Sequence, residues 1–278
     1  MIVKHYEHKI YRASECCIFR KTKETYGGLS NMASGFPIRI NGLTILSNEA
    51  LYQACRFPHL PQIQQLIINE KSPMTAKMVS KPHRKNSRID WEDVKIKIMR
   101  WCLRVKLAQN YFTFGALLES TFNRPIVEDS SRDDFWGAIR DKNDPNLLIG
   151  TNALGRLLME LRQFYFEKKF TTDMFVVEPL NIADFHFLGK PIERIDERNN
   201  FVSAICKSLL INNKGIISSE SVNLITQVTL AESQLQVSEP ELSFVAKSSP
   251  KREKKSKQKV TTTKRKAQSD KQTSISFD

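Results

Sequence analysis

Residues Ile38 to Phe57, IRINGLTILSNEALYQACRF, pass from a strand pattern to a helix pattern within twenty positions. Ile38 and Ile40 alternate with polar neighbours, and Asn41-Gly42 is a strong tight-turn pair, so GFPIRINGLTI predicts a β-hairpin. Ser47 and Asn48 are good helix-capping residues, and the apolar run after them predicts a buried helix with Glu49 in its first turn. Glu49 there complements the helix dipole, yet Glu49, Gln53 and Arg56 also recur at helical spacing and share one face.

Further helices follow. Asp90 is placed to cap WEDVKIKIMRWCLRVKLAQN, in which Val94, Ile98, Trp101, Cys102, Val105 and Ala108 form one apolar face. Ser72-Pro73 opens PMTAKMVSK with proline at its first position, where a missing N–H does no harm. Asn152 is placed to cap NALGRLLMELRQFYF, striped by Leu154, Leu157, Leu158, Leu161 and Tyr165. This order of elements predicts an α+β domain, predominantly helical with a small antiparallel sheet. The expected organisation is a core domain over residues 1–168, a short α/β extension of unknown role over 169–246, and a disordered basic tail over 247–278. In the extension, Pro179 and Pro191 interrupt short apolar runs that read as short strands, and NNFVSAICKSLL reads as a helix.

Composition narrows the class. The chain has 278 residues, 40% hydrophobic and 26% charged, with a net charge of +13. No stretch approaches the roughly 18 uninterrupted apolar residues of a membrane span, and the N-terminal MIVKHYEHK lacks the apolar run of a signal peptide. The expected location is the cytoplasm, nucleoid-associated in a bacterial or viral setting, with KREKKSK or KRK as a nuclear address where there is a nucleus. The five cysteines form no CxxC pair, so a disulfide framework and a zinc site both lack support. GxGxxG, Walker, HExxH and GxSxG patterns are absent, which sets aside dinucleotide folds, P-loop NTPases, zincins and serine hydrolases. Residues 247–278 hold eleven basic against three acidic side chains, +8 of the total. Such a segment cannot bury enough apolar surface to offset its ordering entropy, and it suits either localisation or a tether to nucleic acid.

A group of polar and aromatic residues is left at the edges of buried elements: Gly28, Ser30 and Asn31 before the hairpin, Glu49, Gln53 and Arg56, Trp91 at a helix start, and Asp133, Trp136, Gly137 and Asn152 in loops. Taken singly, each has a structural explanation as cap, turn or packing residue. As a group they describe a pocket of carboxylates and aromatics.

Three blocks make the group specific. YGGLSNMASGFPIRINGLTILSNEALYQACRF, SPMTAKMVSKPHRKNSRIDWEDVKIKIMRWCLRVKL and SRDDFWGAIRDKNDPNLLIGTNALGRLLMELRQ resemble, in this order, the signature blocks of the NADAR family, or YbiA-like N-glycosidases, over about Tyr26 to Gln163. Gly28 to Asn31 match the family's turn, and Glu49, Gln53 and Arg56 its SEHYFQAxK helix. Trp91 matches its NWE element, and Asp133, Trp136, Gly137, Asn152 and Gly155 match its DxxWGxG and N-x-LG block. Ala50 stands where the family has histidine, Ala138-Ile139 where glycine is usual, and Met32 replaces a phenylalanine.

The resemblance implies cleavage of an N-glycosidic bond to ribose, with no metal and no cofactor. Some members act on a phosphoribosylamino-pyrimidine intermediate of riboflavin synthesis, and others remove ADP-ribose from guanine bases in DNA. Breaking that bond develops positive charge at the anomeric carbon, which a carboxylate stabilises while water attacks. Glu49 is the expected catalytic carboxylate, with Asp133 positioning ribose hydroxyls or water. Trp91 and Trp136 are expected to stack on a base, and Arg56 and Arg84 to meet phosphate. Gly28, Ser30, Asn31, Gln53, Gly137 and Asn152 complete the expected substrate-binding set. Three functions stay open: a hydrolase of ADP-ribosylated DNA with antitoxin or repair character, a small-molecule N-glycosidase, and a reader that binds without cleaving. Separately, Gln272, Ile275 and Phe277 in the last residues resemble the short peptides by which replication enzymes dock on a sliding clamp.

Overall fold

The computed structural model describes residues 7–169 and 171–203. An N-terminal strand β1 (Lys9–Arg12) is followed by β2 (Cys17–Phe19) and then by the expected hairpin, β3 (Ile38–Ile40) and β4 (Leu43–Ile45). Its turn residues Asn41 and Gly42 both take positive φ, 47° and 78°, the conformation that makes asparagine-glycine the favoured pair in a two-residue hairpin. Helix α1 (Asn48–Ala54) starts three residues later, capped by Ser47, whose hydroxyl accepts the Ala50 N–H at 3.2 Å. Every residue of α1 is buried, because α2 (Pro61–Ile68), α3 (Pro73–Ser80) and α4 (Trp91–Gln109) pack around it.

The expected apolar face of α4, from Val94 to Ala108, is buried throughout and forms the centre of the core. Asp90 occupies the capping position of α4 but does not cap with its side chain. Arg88 takes the carboxylate through two N–H groups, a charge-assisted pairing that outcompetes a neutral helix amide. After α5 (Tyr111–Glu119) come β5 (Ile126–Glu128), β6 (Ile139–Arg140), β7 (Leu147–Gly150) and α6 (Ala153–Lys168), whose leucine stripe is buried as expected.

The α+β class is the observed one. Its strands make several small sheets, an antiparallel β1-β7-β6 sheet, the hairpin, and a parallel pair of β2 with β5, where one small antiparallel sheet was expected. The parallel pair is the consequential one, because it fixes the strand end that carries Glu128.

The short strands expected after residue 170 are present as β8 (Val176–Val177), β9 (His186–Phe187), β10 (Lys190–Pro191) and β11 (Ile195–Asp196). They join the same core: Phe175, Phe185 and Phe187 are buried in it, and the Trp101 indole donates to the Glu178 carbonyl at 3.0 Å. Residues 198–203 are helical, the first part of the expected NNFVSAICKSLL helix. The rest of that helix, the basic tail and the clamp-like peptide Gln272, Ile275 and Phe277 lie outside the described residues. Among the described residues no helix is long and apolar enough to cross a membrane.

Candidate active site

Glu49 sits one residue inside α1 and is only 5% exposed. A carboxylate removed from water needs donors on both oxygens, and it has them: Asn31 Nδ2 reaches Oε2 at 2.8 Å and Gln53 Nε2 reaches Oε1 at 2.9 Å. The Glu49 amide donates to the Asn31 carbonyl at 3.1 Å, so turn and helix hold each other. Gln53 is itself fixed, its carbonyl oxygen accepting the Ser80 hydroxyl at 3.0 Å. Asn48 Nδ2 donates to Asn31 Oδ1, which leaves the Asn31 amide nitrogen turned toward Glu49. Capping falls to Ser47, and the Glu49 carboxylate is left to the cavity beside it.

That cavity has a volume of about 720 Å³ and is bounded by α1, α3, the loop after β5 and the start of α6. Glu49, Glu128 and Asp133 face it, opposed by Arg56, Lys77, Lys81, Arg84 and Arg132. Burial, then the negative charges of Glu49 and Asp133, push the Glu128 carboxyl up to about 7, with Lys77 opposing them. One carboxyl hydrogen-bonded on both oxygens and a second raised to about 7 share one cavity, the kind of pair that glycoside cleavage uses for its stabilising carboxylate and its proton donor.

A family model, the NADAR domain, matches residues 18–164, more than half the chain, and every wall of the cavity lies within that span. The chain belongs to the NADAR domain family. It is 36% identical to the N-glycosidase YbiA of Escherichia coli over 145 residues, 52% of this chain and 85% of that one. It is 31% identical to the riboflavin biosynthesis protein VVA0006 of Vibrio vulnificus, over 52% of this chain and 37% of that one. The NMR structure of the E. coli protein YbiA aligns at 34% identity with a TM-score of 0.47, covering 55% of this chain and 86% of that one. The N-glycosidase relatives support glycosidase chemistry, a hydrolase, for this NADAR chain.

Of the residues that the NADAR blocks single out, Asn31, Glu49, Gln53, Arg56, Arg84, Asp133 and Trp136 line the cavity together. Asp133 also works locally: its Oδ1 accepts the N–H groups of Phe135 and Trp136, at 3.1 and 2.8 Å, and so shapes the loop that presents Trp136. Trp136 meets Tyr52 edge-on, with ring centroids 5.7 Å apart.

Gly28, Ser30, Trp91, Gly137, Asn152 and Gly155 do not line it. Trp91 is buried and outside the lining, against Tyr52 and beneath the Arg56 guanidinium, which lies 4.0 Å from its ring centroid and which it supports. Gly28 and Ser30 shape the turn before Asn31, and a side chain at Gly28 would strike Leu117. Gly137 lies against the Glu128 carbonyl, 2.6 Å from where a Cβ would stand.

Asn152 is fully buried and does not cap α6 with its side chain. It takes a left-handed conformation, φ 50°, and bridges to β5, accepting the Glu128 N–H at 3.2 Å and donating to the Ile126 carbonyl at 2.8 Å. Gly155 continues the approach of α6 to β5, the two close enough that a Cβ would stand 2.1 Å from the Ile126 carbonyl. Ala50, in the family's histidine position, is buried and outside the cavity lining.

Sequence reasoning missed Glu128, Lys77, Lys81 and Lys106. Glu128 ends the apolar run PIVE after Arg124, a pattern a buried strand end shares with many solvated ones. Lys106 is 0% exposed, and its ammonium donates to the Gly28 carbonyl at 2.9 Å and approaches the Ser30 carbonyl at 3.4 Å, between the rings of Phe36 and Phe114. Burial lowers it to about 7. It braces from below the turn that carries Asn31.

Proposed function

We propose that the chain is an N-glycosidase that removes ADP-ribose from guanine in ADP-ribosylated DNA. The observation that carries this reading is a cavity with Glu49 hydrogen-bonded on both oxygens and several cations on its lining. About 720 Å³ is within the usual range for small-molecule and cofactor sites, and cations in such number suit a diphosphate better than a single phosphate.

In the reaction the ribose C1–N bond breaks and the electron pair leaves with the base. The Glu49 carboxylate stabilises the oxocarbenium-like carbon, and the Glu128 carboxyl gives its proton to the departing nitrogen. Water then adds to C1, and its proton restores Glu128. Asp133 holds ribose hydroxyls or the water, Trp136 stacks on a base, and Arg56 and Arg84 meet the diphosphate.

The relative named for riboflavin biosynthesis favours a second substrate, a phosphoribosylamino-pyrimidine, for the same chemistry. Incubating the full chain with each substrate separates these readings. Release of ADP-ribose from modified single-stranded DNA, lost in Glu49→Ala, supports the first; release of ribose phosphate from the pyrimidine alone replaces it with the second. Tight binding of ADP-ribosylated DNA without turnover identifies a reader.

A further inference from the structure

Residues 71–89, KSPMTAKMVSKPHRKNSRI, hold Lys71, Lys77, Lys81, Arg84, Lys85 and Arg88 and no acid. Arg88 is turned inward onto Asp90 and the Ala183 carbonyl. The other five form no ion pair with any carboxylate of the described residues. Elsewhere on the surface pairing is common: Lys95 with Glu92, Arg100 with Glu160, Lys168 with Asp173, and Arg194 with Glu178.

These charges lie on and beside a packed helix. Pro73 starts α3, and Ala76 and Ser80 are buried where it packs on α1. Its outer face carries Met74, Lys77, Met78 and Lys81, at i, i+3, i+4 and i+7 spacing, and all four line the cavity. Met74 and Met78 are 58% and 54% exposed, and Ile89, just beyond the turn after α3, is fully exposed. Flexible, polarisable methionines between cations offer base faces a surface and phosphates a counter-charge. The strip also outruns the cavity, since Lys71, Lys85 and Ile89 are not part of its lining. A ligand of one nucleotide's size would leave them unused.

We infer that α3 and the turn at Lys81–Asn86 are a docking strip for single-stranded nucleic acid flanking the nucleotide held in the cavity. This deepens the DNA reading of the proposed function and rests on it. The strip gives the site a polymer preference of its own, apart from residues 247–278.

The test uses the full chain and an unmodified single-stranded oligonucleotide carrying 5-bromouracil. Photo-crosslinks within residues 71–89 are expected, and crosslinks confined elsewhere, the basic tail included, overturn the strip. In parallel, Lys71→Glu/Lys85→Glu is expected to weaken oligonucleotide binding about tenfold at low salt. It should flatten the salt dependence by about 1.4 in log–log slope, or ~0.7 per lost phosphate contact. Lys142→Glu/Lys190→Glu changes the net charge equally on exposed residues outside residues 71–89. Equal weakening by the two double variants, or binding of anionic lipid vesicles with none of the oligonucleotide, also overturns the inference. ADP-ribose release by the unaltered chain is measured separately, so failure of the glycosidase reading is distinguishable from failure of the strip.

Discussion

Replacing Glu128 by glutamine tests the division of labour between the two glutamates. An ordinary glutamic acid with a pKa of 4.5 is about 1 part in 300 protonated at pH 7, whereas Glu128, pushed up to about 7, is half protonated there. The cavity therefore holds roughly 150-fold more of the acid form than a surface carboxyl would supply. A positioned general acid contributes about 10²–10⁴-fold, so Glu128→Gln is expected to lower kcat for a poor leaving group by about that factor.

The pH profile carries the sharper expectation. In the unaltered chain kcat/KM falls on the alkaline side with a midpoint near 7, and Glu128→Gln abolishes that limb. Because the Glu49 charge is one cause of the raised value, Glu49→Gln moves any residual limb to lower pH. Single-turnover release of ADP-ribose from pH 5 to 9 reads both effects. A Glu128→Gln rate within tenfold of the parent, under about 1.4 kcal/mol of barrier, with the alkaline limb intact would refute the assignment.

The same group links stability to pH. Folding raises its pKa, so its contribution is intact below about 4.5 and is lost as pH rises through about 7. Glu128→Gln should then exceed the parent in stability at pH 8 by on the order of 1–3 kcal/mol in urea unfolding.

Lys106 has the opposite sense: burial depresses its pKa to about 7, so its contribution is intact above the unfolded value near 10.4 and is lost as pH falls toward 7. The stability difference between the parent and Lys106→Met should therefore change between pH 7 and 10, and a difference constant over that range would contradict the buried, neutralising lysine. Gly155→Ala brings a methyl group against the Ile126 carbonyl and should destabilise by about 3 kcal/mol or more, displacing β5 and with it Glu128. A melting temperature within about 1 °C of the parent would show that α6 and β5 are not so close.

What could be read from the sequence is what local chemistry specifies. Asn41-Gly42 announces a turn because few other pairs accept positive φ twice, Ser47 announces a helix start, and the stripes of α4 and α6 announce their buried faces. Asn31, Glu49 and Gln53 were legible because a short turn, a hairpin and one helical turn bring them together within 23 positions.

The misplacements come from long-range partners. Asn152 looks like a cap until β5, 26 residues earlier, offers its side chain two backbone groups that would otherwise be buried without partners. Trp91, expected at a ligand face, stands outside the lining because Tyr52 of α1 and Arg56 just beyond it pack on its ring. Glu128 gives no local signal, since its proton affinity depends on charges at residues 49 and 133 that only the folded chain brings near. Glu49, the stabilising carboxylate of the proposed reaction, is held by its own neighbourhood in the sequence. Glu128, the proposed proton donor, is tuned from elsewhere, and a change that shifts β5 against α1 should alter its pKa without touching either glutamate.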